Sequence, residues 1–118
     1  MTYKLDIEIP GNPASQNTHK HWRLVSAERK KWRNAVCMIA KFRRPEKPLE
    51  KAKLTLTRYS SREMDYDNRV FSFKSCIDGL KDAGVILDDK DSVIVSREYP
   101  WIKCAQKDAC IRIVVEEA

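Results

Sequence analysis

The residues of this chain best suited to chemistry are carboxylates held at short spacing. Asp65-Tyr66-Asp67 places two of them at i and i+2. In an extended chain, side chains two apart point to the same side, which is a natural start for a cation site. Asp88-Asp89 lies past the next helical stretch. The chain must turn back toward a sheet near there, and such a turn could return a third carboxylate to the pair. Hard oxygen ligands without a surplus of His or Cys favour magnesium or manganese over zinc. The same spacing also describes a solvated loop, and Asp88-Asp89-Lys90-Asp91 has the composition of an ordinary surface turn. A structural calcium loop, with no affinity for nucleic acid, is a third reading.

Charge is distributed unevenly along the chain. The net charge is +6, which permits a polyanionic partner. Between Thr18 and Lys53 stand 12 Lys or Arg against 3 Glu, whereas Glu63 to Asp91 holds 8 acids against 4 bases. A basic chain that concentrates its acids in one segment suits a metal-dependent nuclease. Bases hold phosphates, and acids hold the cation that neutralises the phosphate being cut.

The order of residues adds to their spacing. Asp65-Tyr66-Asp67-Asn68, then Lys74, then the run Ile77-Asp78-Gly79-Leu80 through Ala83-Gly84 to Asp88-Asp89 resembles the RusA family of Holliday-junction resolvases. The hallmark of that family is D-x-D-N, a helix with a Lys and a D-x-L element, an A-G turn, and then D-D. Ile9-Pro10 through Ser15-Gln16-Asn17 is similar to the family's first strand and the loop after it, and Val25-Ser26-Ala27-Glu28 to the start of its first helix. One departure concerns the lysine. Some members place it four residues after the second Asp, where Phe71 stands here, and Lys74 lies seven after. The two offsets fall on nearly one helical face, about one turn apart. Lys74 also reads as an i,i+4 surface partner of Asp78.

The resemblance implies a magnesium-dependent endonuclease, with manganese as a substitute, that resolves four-way DNA junctions as a homodimer by paired symmetric nicks. Asp65, Asp67 and Asp89 would be the metal-holding carboxylates, Asp88 an auxiliary or structural neighbour, and Lys74 a stabiliser of charge on the phosphate in the transition state. The expected ends are 5′-phosphate and 3′-hydroxyl. Arg62, three residues before Asp65, and Lys20, Arg23 and Asn17 in and after the first loop are the candidate DNA contacts. Rival readings are a nuclease for other branched or flap DNA and a non-catalytic DNA-binding protein of the same fold.

Alternation and helical spacing predict the elements that would position these residues. Tyr3, Leu5, Ile7 and Ile9 alternate with polar residues as a half-buried strand ended by Pro10-Gly11-Asn12-Pro13. Ser26 is the expected N-cap of a helix carrying Trp32, Ala35, Val36, Ile39 and Phe42 inward, stopped by Pro45. Ala52, Leu54 and Leu56 alternate in a second strand. Asp67 or Asn68 is expected to cap a second helix with Val70, Phe73, Ile77 and Leu80 on its inner face, terminated at Gly84. Val93, Val95 and Tyr99 start a third strand, and a hairpin around Gln106-Lys107-Asp108 leads to a last strand with Ile111, Ile113 and Val115. The expectation is one α+β domain over residues 1–118, in the order βαβαββ, with a mixed four-stranded sheet and two helices on one face.

The remaining residues set bounds. No apolar run reaches the length of a membrane span, and the N-terminus lacks the apolar core of a signal peptide, so the expected location is the cytoplasm. Cys37, Cys76, Cys104 and Cys110 show no zinc spacing. Cys37 and Cys76 read as small core residues; Cys104 and Cys110 could meet across the expected hairpin, but the plainer reading of two unpaired cysteines is preferred. His19, His21 and Trp22 are loop residues that could meet DNA or simply pack locally, while Trp101 reads as hairpin packing.

Overall fold

Every second residue of the outer strand is apolar, and that alternation builds the core. The structure, a computed structural model, describes residues 2–13 and 22–118. Strand β1 (Lys4–Pro10) pairs antiparallel with β5 (Cys110–Glu117), and β5 pairs antiparallel with β2 (Ala52–Ser60). The register sets Leu5 opposite Val115, Ile7 opposite Ile113 and Ile9 opposite Ile111; across the next seam Leu54 meets Val115 and Leu56 meets Ile113. All these side chains are buried, while Lys4, Asp6 and Glu8 point to the exposed face. A one-sided sheet of this kind needs cover on its apolar face alone.

The cover is helical. Helix α1 (Trp22–Ala40) buries Trp32, Val36 and Ala40, spaced by four, in one cluster with Phe73, Cys76, Ile77 and Leu80. Phe73 stands at the junction of α2 (Tyr66–Ser72) and α3 (Lys74–Asp82), and Cys76, Ile77 and Leu80 belong to α3. Helices α1 and α3 cross closely at Gly79, where a Cβ would stand 2.5 Å from the Arg33 carbonyl oxygen and 2.9 Å from Val36 Cβ. Arg33 and Asp82 join the same two helices in a two-pronged ion pair, with Nε–Oδ2 at 2.5 Å and Nη2–Oδ1 at 2.9 Å.

Helix α3 ends as its sequence predicts. Gly84 takes φ +82°, its N–H donates to the Lys81 carbonyl, and the Val85 N–H donates to the Leu80 carbonyl. That is the paired-bond cap that a left-handed glycine permits, with Val85 and Leu80 both buried beside it. Leu49 then binds the returning chain through its N–H to the Val85 carbonyl and its carbonyl to the Leu87 N–H. After the turn at residues 88–93, β3 (Ile94–Glu98) and β4 (Trp101–Lys103) both run parallel to β2 on its free side.

The α+β class, the mixed sheet and the helices on one face are as expected, and four details are not. Helix α1 starts at Trp22, so Ser26 lies inside it rather than capping it, and Ile39 and Phe42 are exposed instead of inward. The second helix is divided at Phe73: its N–H donates to the Val70 carbonyl three residues back and the Ser72 hydroxyl donates to the Arg69 carbonyl, a pattern that tightens and bends a helix. The third strand is likewise divided, around Tyr99-Pro100, and the sheet has five strands rather than four. No hairpin joins β4 to β5, because they flank β2 on opposite sides and the link passes the end of β2, where Cys104 N–H donates to the Ser60 carbonyl. Cys104 and Cys110 are free thiols accordingly. Burial pushes the Cys76 thiol up to about 12, as fits an inert core residue, whereas Cys37 is only half-buried. Among the described residues no helix is long and apolar enough to cross a membrane.

Candidate functional site

Asp67, Lys74 and Asp89, drawn from three places in the chain, line one cavity of about 540 Å³. Its first wall is a helical face. Asp67, Val70, Phe71, Lys74, Ile77 and Asp78 recur at the spacing of one side of a helix, and the bend at Phe73 does not take Lys74 or Asp78 off that wall. Its second wall is Asp89, Arg97 and Tyr99, from the turn before β3 and from its end. Arg97 ties this wall together by donating from Nη2 to the Asp89 carbonyl at 2.5 Å and to Asp91 Oδ1 at 3.2 Å. Tyr99 is buried, edge-on to Tyr66 at 6.1 Å between centroids, and burial raises its phenol above the usual value. Arg69 joins the walls: Nε donates to the Tyr99 carbonyl at 2.6 Å and Nη1 to the Met64 carbonyl at 2.9 Å.

The aspartate pair separates. Helix α2 begins at Tyr66, immediately after Asp65, so Asp67 turns with the helix and the extended-chain alternation expected for the pair does not apply. Asp65 occupies the cap position without a side-chain capping bond, in place of the expected Asp67 or Asn68. It lines a second, more open cavity of about 710 Å³ together with Arg58, Arg62 and Asn68. Arg62, a predicted DNA contact, is therefore beside Asp65. Its carbonyl accepts from the Ser60 hydroxyl at 2.8 Å, and Ser60 Oγ in turn accepts from Trp101 Nε1 at 2.9 Å. That bond, rather than hairpin packing, is the role of Trp101.

Asp88 is engaged elsewhere. Its Oδ1 accepts from the Asp89 N–H at 2.8 Å, and its carboxylate pairs with Lys81 at 3.2 Å and Lys90 at 3.6 Å. The Asp89 backbone N–H, then the Asp89 side chain and then the Lys81 ammonium hold the Asp88 carboxyl down at about 2. These bonds brace the turn that presents Asp89. Lys74 and Asp78 both face the cavity but make no ion pair with each other, so the surface-pair reading of Lys74 does not describe the structure.

Arg23 is an exposed residue of α1; Lys20 and Asn17, with His19 and His21, lie outside the described residues. Among the described residues, no three His, Cys, Asp or Glu side chains are gathered into a group that could hold a metal ion. Asp67 stands on α2 and Asp78 on α3, on either side of the bend at Phe73, so the acids of the first wall are spread along it. Sequence reasoning missed Arg97, Tyr99 and Arg58. Only Arg58 left a signal, as a charged residue in the inward parity of Ala52, Leu54 and Leu56. No protein-family model matches the chain, and no curated protein matches it.

Proposed function

We propose that this protein is a magnesium-dependent, structure-selective DNA endonuclease of the RusA type, acting on four-way junctions as a homodimer. The observation that carries the reading is that Asp67, Lys74 and Asp89 line one cavity, although the two acids stand 22 positions apart in the sequence. Magnesium is commonly held through one or two carboxylates, with water and substrate phosphate completing its shell, so Asp67 and Asp89 suit it without a closed protein cage. Bound there, the ion would activate water and neutralise the phosphate being cut. Lys74 extends a cation into the same space, where it would meet the negative charge that grows on phosphorus oxygens. Arg62 beside Asp65 would hold a neighbouring phosphate of the strand.

A second reading, a DNA-binding protein of the same fold without cleavage, is favoured by the absence of a gathered group of three ligands among the described residues. One experiment separates the two. The protein is incubated with a synthetic four-way junction, a linear duplex and a flap, with and without magnesium, beside Asp67→Asn. The endonuclease reading expects magnesium-dependent paired nicks in the junction, lost in Asp67→Asn while junction affinity is kept or improved. Binding without nicks under every metal condition supports the second reading.

A further inference from the structure

Arg58 breaks the pattern of its strand. Ala52, Leu54 and Leu56 point into the core, and the next residue of that row is a guanidinium set opposite the fully buried Ile111. A charge in such a row requires partners, since desolvation of an unpaired cation is costly. Arg58 has few. Nη1 donates to the Pro13 carbonyl at 2.9 Å, while Nε is buried without a hydrogen-bond partner among the described residues. Among the described residues no carboxylate forms an ion pair with it, although Asp65 and Glu63 line the same cavity. Burial, and then the like charge of Arg69, lower its pKa, which is the response of a cation without a counter-ion. Asn68 lines the same cavity, and among the described residues its side-chain amide makes no hydrogen bond.

We infer that Arg58, with Arg62 and Asn68, forms a binding site for a phosphate oxyanion at the end of β2, distinct from the Asp67–Asp89 cavity. The chemistry matches donor for acceptor. An arginine presents up to five N–H donors in a fixed fork and an asparagine two more, all suited to the oxygens of one phosphate. The bound anion would supply the missing partner for Nε and the missing counter-charge together. In the setting of the proposed endonuclease, on which this assignment of source rests, the anion is a backbone phosphodiester near the one being cut. Asp65 and Glu63 in the same cavity set a preference for an extended strand over a small, highly charged anion, because a strand brings further contacts to offset their repulsion.

The test follows the Arg58 Nε–H resonance while inorganic phosphate, and separately a thymidine dinucleotide, is titrated into the intact protein. A saturable shift with the dinucleotide, stronger than with phosphate, is expected. Arg58→Met fills the same row with an apolar side chain and keeps the fold; Arg58→Lys keeps the charge without the fork. Arg58→Met should weaken junction binding by about tenfold and reduce the slope of log affinity against log salt by about one, with Arg58→Lys between. An Nε–H resonance unmoved by both ligands, or an Arg58→Met protein with wild-type affinity and salt slope, overturns the site. A shift with the dinucleotide in a protein that neither binds nor cuts junctions leaves the site standing and removes the junction reading.

Discussion

Arg97 Nη2 donates to the backbone carbonyl of Asp89, not to its carboxylate. The bond fixes where the residue sits while leaving its side chain open to the cavity. A further bond to Asp91 Oδ1 uses the second partner to close the turn, so one guanidinium on β3 positions the segment that faces α2. Arg97→Met removes both bonds. It should lower stability by about 1.5–3 kcal/mol, the usual contribution of hydrogen bonds to a charged group. Urea unfolding measures that loss. If the proposed chemistry uses Asp89, junction nicking should fall further than stability accounts for, and Arg97→Lys should recover only part of it. Wild-type nicking by folded Arg97→Met would remove the positioning role.

Lys74 stands on the helical wall without an ion-pair partner in Asp78. Lys74→Ala should therefore leave the thermal midpoint within a degree or two, since exposed helix substitutions to alanine cost little. Its single-turnover cleavage rate should drop by about tenfold or more while junction affinity changes less, as expected for a group that acts in the transition state. A loss of stability with an unchanged rate would reverse the assignment.

Gly79 is fixed by proximity. A methyl group there would meet backbone oxygen of Arg33 at 2.5 Å, and a backbone oxygen in the middle of a helix has no free path away. Gly79→Ala should cost about 1–3 kcal/mol through forced separation of α1 and α3, despite the better helix propensity of alanine. The urea midpoint should fall with its slope kept. Stabilisation by this substitution would show that the helices separate freely.

What was legible in the sequence follows from periodicity. The rows of β1, β2 and β5 and the Gly84 cap are set by local spacing and by one residue's backbone freedom, and each appears where it was expected. The D-x-D geometry was not legible, because it turns on whether the helix starts at Tyr66 or two residues later, and neither Asp65 nor Asp67 supplies a capping bond that would decide it. The position of β5 was also hidden. Adjacent strands joined by a short polar link read as a hairpin, yet β5 fits between β1 and β2, where Ile111, Ile113 and Val115 are covered from both seams. The return of Asp89 toward Asp67 was legible only as a topological requirement; the Leu49 bridge and the Arg97 bond that accomplish it join residues too far apart in sequence to leave a local pattern.

Asp88 separates a bracing role from a metal-holding one. Its carboxyl is held at about 2 by the Asp89 N–H, then by the Asp89 side chain and Lys81, below the ordinary value of 3.8. A lowered folded-state pKa stabilises the protein above the unfolded-state value and ceases to do so as pH falls through the folded one. The contribution of Asp88 is thus complete above about pH 4 and lost toward about pH 2. Asp88→Asn should be less stable than wild type at pH 7, and the gap should narrow between pH 4 and pH 2, where the native carboxyl takes up its proton. Urea unfolding at pH 7, 4, 3 and 2 measures the convergence, and added salt should shrink the gap at pH 7 because the pairs with Lys81 and Lys90 are exposed. In the same protein at pH 7 and low temperature, cleavage should persist with an unchanged magnesium requirement, because the side chain faces Lys81 and Lys90 rather than the cavity. A magnesium requirement raised by Asp88→Asn at unchanged stability would instead make Asp88 a ligand.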